Sequence, residues 1–179
     1  SEYSDKDLRG EFKLRTPGFW TWLSRNDRYS KVKLEADLES LRSLYLDNGY
    51  LEFSIDSTQV SISPDKKDIY ITVNVSEGKK YIVKDIKLLG KTSVQDSDLL
   101  ALLKIYPGEY FSRKKLNETT SLITDRLGDD GYAYAVVKAV PDIDRKKGEV
   151  NFNLFVDPGR RVYVRKINIS GNSDTRDEV

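Results

Sequence analysis

The chain has 179 residues, with 30 Lys and Arg against 29 Asp and Glu, for a net charge of +1. Such balance gives no reason to expect nucleic acid or an acidic membrane surface as the main partner, and a hydrophobic content of 38% is too high for a disordered chain. The absence of His and Cys excludes disulfides, thiolate metal sites and the usual neutral-pH acid/base, which argues against hydrolytic or metal catalysis while carboxylate chemistry stays open.

No run of about 18 apolar residues is present, so no helix is expected to span a bilayer. With no Met and no visible signal peptide, the chain reads as a segment of something longer. Near the start, Phe19, Trp20 and Trp22 cluster; clustered aromatics can stack on a sugar, but the favoured reading is that they cover the end of a small core. Leu34, Leu38, Leu41 and Tyr45 then fall at helical spacing, and Gly49 ends that helix. A strand is predicted from Tyr50 towards Ser63. Its apolar residues are odd-numbered at Leu51, Phe53 and Ile55 but even-numbered at Val60 and Ile62, and a period-two strand changes phase only by an inserted residue. A β-bulge is therefore predicted near Asp56–Thr58.

Ile69, Ile71, Val73 and Val75 alternate with polar residues as a further strand. Tyr81–Leu89 is predicted as a strand ended by Gly90, Asp96–Leu103 as a short helix, and Pro107-Gly108 as a break. A long helix begins at Ser112, a suitable N-cap, carries Leu116, Ile123 and Leu127, and ends at Gly131. The strand from Tyr132 is predicted to stop at Pro141, and Val150, Phe152, Leu154 and Val156 form the last complete strand. Asp129, Asp130, Glu109 and Asp142 read as turn and loop acids. Lys66-Lys67 and Arg145-Lys146-Lys147 read as solvated hairpin tips, and Lys79-Lys80 and Arg160-Arg161 mark junctions with little slack.

These elements repeat. Asp129-Asp130-Gly131-Tyr132 follows Asp47-Asn48-Gly49-Tyr50 by 82 residues, and Val156-Asp157-Pro158-Gly159 follows Val75-Ser76-Glu77-Gly78 by 81. Ile86–Gly90 and Ile167–Gly171 match at the same spacing of 81. Asp7-Leu8 matches Asp98-Leu99 at 91, so the first repeat carries about nine extra residues within Arg15–Asn26. Each repeat is strand, helix, helix, strand, strand: an α+β module with two helices over one face of a three-stranded mixed sheet of order 1-3-2, the second strand on an edge. The expected division is 1–78, with its first strand missing, then 79–159, then 160–179 as the first strand and opening of a third module.

The ordered set Leu38–Ser43, Tyr45–Tyr50, Ser57–Ser61 and Pro64–Lys67 resembles the third POTRA domain of the gammaproteobacterial BamA family of outer-membrane protein assembly factors. Gly131–Tyr134 and Tyr163–Ile167 resemble its fourth domain and the start of its fifth. The resemblance implies a non-catalytic periplasmic scaffold, part of a longer outer-membrane protein, which docks a BamB-like lipoprotein and unfolded outer-membrane protein substrates. It implies no cofactor or metal. The family's third domain meets the lipoprotein chiefly through its second strand, which places contacts on Asp56, Val60 and Ile62; Phe53 and Ile55 lie on the same strand.

An edge strand offers unpaired N–H and C=O groups to a partner strand, and the first repeat's edge, with no Pro before Pro64, is expected to be longer and more open than that of the second. Against docking stands the reading that Val60 and Ile62 pack under the helices. Strand 162–170, lacking a module to complete, could instead pair with another copy. Two other classes compete: the POTRA region of another secretion or outer-membrane transporter, and a sugar-binding or enzymatic module. The second is disfavoured by the missing His and Cys.

Overall fold

The computed structural model describes residues 31–65, 68–163 and 165–166. The aromatic cluster at Phe19–Trp22, the expected lack of a first strand in the first repeat, and Lys66-Lys67 lie outside these residues, as does most of 162–170. In chain order the elements are α1 (Lys31–Asp47), β1 (Ser54–Ile62), β2 (Ile69–Ser76), β3 (Ile82–Leu89), α2 (Asp96–Leu100), α3 (Arg113–Asp129), β4 (Val136–Asp144) and β5 (Glu149–Asp157).

The second module shows the complete plan. β5 is central, parallel to β3 and antiparallel to β4, giving the order β3-β5-β4. Val150, Phe152, Leu154 and Val156 of β5 are buried, as its alternation requires. They pack under α3 through Leu116, Ile123 and Leu127, with Leu99, Leu103, Ile105 and Phe111 closing the core. Ser112 caps α3, its hydroxyl accepting from the Lys115 backbone N–H at 3.3 Å. Helix α2 stops at Leu100, shorter than its apolar pattern suggests.

The described part of the first module follows the same plan: α1 and α3, and likewise β1 and β4, begin and end 82 residues apart. Its core is a separate cluster of Leu41, Tyr45, Tyr50 and Phe53, backed by Ile55, Val73 and Val75. The Tyr45 and Phe53 rings stack with centroids 4.2 Å apart. Among the described residues its sheet is the antiparallel pair β1-β2.

One expectation fails. Pro141 does not stop its strand: β4 runs through it to Asp144, with Pro141 opposite Phe152. A proline stays in a ladder only where its nitrogen faces away from the neighbouring strand, and β4 is an edge. Thus β1 and β4 are equally long, at 9 residues each, and they differ in whether the outward edge carries a donor at that point.

Candidate binding edge and module seam

The predicted bulge is present. Ile55 pairs with Val75 and Ser57 with Asn74, which leaves Asp56 as the extra residue. Its carboxylate accepts from Ser54 Oγ (2.8 Å) and Ser76 Oγ (2.6 Å), pinning the bulge from both strands. The Ser76 hydroxyl, followed by that of Ser54, holds the Asp56 carboxyl below its ordinary pKa. Past the bulge the ladder is regular to Ile62–Ile69, and Ser63 N–H donates to Asp68 O at 2.9 Å. Hydrogen-bonded and non-bonded pairs alternate in an antiparallel ladder. Counting back from Ser63, the backbone N–H and C=O groups of Thr58, Val60 and Ile62 point away from β2, along the outer edge. Nothing among the described residues pairs with that edge.

The five predicted positions divide. Val60 and Ile62 share the inner sheet face with Ile55, yet are 40% and 62% exposed, so they are not packed under a helix among the described residues. Asp56 is exposed at the bulge. Phe53 lies just before β1 with its ring buried against Tyr45, and Ile55 leans on the same cluster. Those two side chains serve the core, and only Asp56, Val60 and Ile62 offer side chains at the edge.

Sequence reasoning missed the seam between the modules. Asp47, the last residue of α1, accepts from the Lys114 backbone N–H at 2.8 Å and so caps the first turn of α3 across the junction. Arg113 reaches back to Glu39 Oε1 (2.8 Å) and Ser43 Oγ (2.6 Å). Glu52 receives Tyr81 OH at 2.5 Å and Arg145 Nε at 2.7 Å. Arg145, expected to be an ordinary solvated loop residue, is thus a clamp on the other module. Leu46 and Leu51 pack on the second module's core. Contacts so far apart in sequence leave no spacing pattern, although the repeat holds a clue: Tyr134 stands where Glu52 would recur.

The Tyr81 hydrogen bond, with Arg145 next, lowers the Glu52 pKa. A carboxyl depressed on folding contributes stability above its unfolded pKa and loses that contribution as pH falls through the folded value. Acidification to below about pH 4 is therefore expected to loosen the seam, seen as changed residual dipolar couplings between the modules. Glu52→Gln should remove that transition.

A complete βααββ module, preceded by the helix–strand–strand part of a second copy, joined to it by a short bonded seam and bordered by an open strand edge, defines a tandem-repeat scaffold. The sequence pattern of POTRA, the surface antigen variable number repeat, matches residues 1–78 and 81–159, and the chain belongs to that family. It is 34% identical over 178 residues to the outer membrane protein assembly factor BamA of Neisseria meningitidis serogroup B, covering 99% of this chain and 22% of the relative. It is 34% identical over 177 residues to BamA of Buchnera aphidicola, covering 99% and 29%. The chain thus spans under a third of these relatives. The crystal structure of Haemophilus influenzae BamA POTRA3-5 matches with a TM-score of 0.80 at 28% identity, over 98% of this chain and 68% of that one.

Proposed function

We propose that this chain is a non-catalytic periplasmic scaffold of the machinery that assembles β-barrel proteins in the outer membrane. Its β1 edge docks an accessory lipoprotein of the BamB kind and nascent outer-membrane strands by adding them to the sheet. In this reading the units are 1–78, 79–159 and the opening of a third from 160. The observation that carries it is the outward set at Thr58, Val60 and Ile62: unpaired backbone groups beside two exposed apolar side chains. Main-chain bonds of this kind give affinity, and side chains at alternate positions give specificity.

β4 supports the assignment by contrast. Pro141 removes a donor from the corresponding edge, so strand addition is directed to β1. It also shows that this edge tolerates proline. Val60→Pro is therefore expected to keep the β1-β2 hairpin while weakening the lipoprotein at least about tenfold, the worth of one net hydrogen bond and its geometry. Titration of the purified lipoprotein measures this, with hairpin amide shifts as the check on folding. Unchanged affinity in a folded Val60→Pro chain sinks the edge reading. Gln59→Pro should break the hairpin, because Gln59 N–H faces β2.

A further inference from the structure

The first seam accounts for an acid in an unfavourable place. Helix dipoles disfavour carboxylates at C-termini, yet Asp47 sits there, and it caps the N-terminus of α3. Asp129 occupies the equivalent end of α3 and is exposed, with no hydrogen bond or ion pair among the described residues. The matches extend beyond it. Glu39 and Ser43, which hold Arg113, have as counterparts Ser121 and Asp125. The carboxylate and hydroxyl are kept one turn apart with their order exchanged, and both residues are exposed.

The lead-out from the second module copies the lead-out from the first. Tyr81 N–H donates to Gly49 O, and Val162 N–H donates to Gly131 O, each at 2.9 Å. Lys80 lies over the Tyr50 ring at 5.3 Å, and Arg161 over the Tyr132 ring at 5.6 Å. Arg161 Nε also donates to Asp130 O at 2.7 Å. The chain leaves the second module from the position, and with the stacked cation, that set the second module on the first.

We propose that the Ser121–Asp125–Asp129 face of α3 is a docking surface for the N-terminal turn of the second helix of a following βααββ module. Asp129 caps that helix by accepting from its second residue. Asp125 and Ser121 hold a basic side chain at its first residue, as Glu39 and Ser43 hold Arg113. The helix supplies free N–H groups and a positive dipole end, the complement of this acidic face. Leu46 and Leu51 have small counterparts in Gly128 and Ala133, so the incoming module supplies the bulk of the apolar contact at this seam. The proposal does not rest on lipoprotein docking at β1.

Disulfide trapping tests it in the full-length protein, with any cysteine outside these residues first replaced by serine; the 179 residues themselves contain none. Asp47→Cys with Lys114→Cys is the control at the first seam. Asp129→Cys is paired with a cysteine at the Lys114 counterpart of the following module. Both pairs are expected to close in most molecules under mild oxidation, because a cap and its target residue lie within disulfide range. Closure at the first seam with none at the second overturns the proposal. A second measurement uses no cysteine: Asp125→Ala with Asp129→Ala should change residual dipolar couplings of the following module relative to α3 and leave those between the first two modules as they were. An unchanged orientation also overturns it.

Discussion

Gly90→Ala is expected to destabilise the second module by about 3 kcal/mol or more, the sum of a backbone term and a packing term. Gly90 follows β3 at φ +132°, a conformation that L side chains rarely adopt, and a Cβ built there would lie 2.2 Å from the Val156 carbonyl oxygen. That oxygen belongs to the backbone of the central strand, so it cannot swing aside as a side chain would. Relief requires β3 and β5 to separate at their paired ends, where Leu88 faces Leu154 and Leu89 faces Phe155. Gly108→Ala is the matched control: its φ is +93°, but nothing lies within 4 Å of the added Cβ, so only the backbone cost of about 1–2 kcal/mol applies. Urea denaturation followed by circular dichroism measures both. Equal midpoints for the two variants would show that β3 and β5 do not meet as closely as described.

Much of this architecture is legible from local pattern. Alternation in β5 marks its buried face, because a strand's period is two and the residues are well separated into apolar and polar. The phase change between Ile55 and Val60 locates the bulge at Asp56, since apolar side chains must stay on one face. The recurrence of Gly49 as Gly131 registers the modules; both adopt positive φ after a helix, where a Cβ is costly. Pro141 was misjudged because local chemistry says that proline lacks a donor but not which side of the strand the donor would have faced. The seam was missed for a related reason. Glu52 and Arg145, or Asp47 and Lys114, meet only through tertiary placement, and a single charged residue in a loop gives no sign of what it will reach. At the candidate edge the sequence puts five positions on one stretch of chain, but it does not separate Phe53 and Ile55, which face the core, from Val60 and Ile62, which remain exposed.

Phe152→Ala probes whether the two modules are separate cores joined at a seam. Phe152 is 1% exposed at the centre of β5, and its ring lies 5.6 Å from that of Phe111. Truncating a buried Phe costs about 3–5 kcal/mol, because apolar contact is lost and the cavity only partly collapses. A domain holds roughly 0.05–0.15 kcal/mol per residue, so a module of about 80 residues has on the order of 4–12 kcal/mol to lose. The second module should then open often, and amides of Ile123, Leu127 and Leu154 should exchange faster by two orders of magnitude or more, since each 1.4 kcal/mol is about tenfold. The first module keeps its own stack of Tyr45 on Phe53. It loses the seam packing of Leu46 and Leu51 and the seam bonds made by Glu39, Ser43, Asp47, Gly49 and Glu52, none of which belongs to that stack. Its hairpin amides facing β2, at Gln59 and Ser61, should therefore slow or quicken by less than tenfold. A uniform loss of protection through both modules would mean one cooperative core, and the β1 edge could not then be treated as the margin of an independent unit.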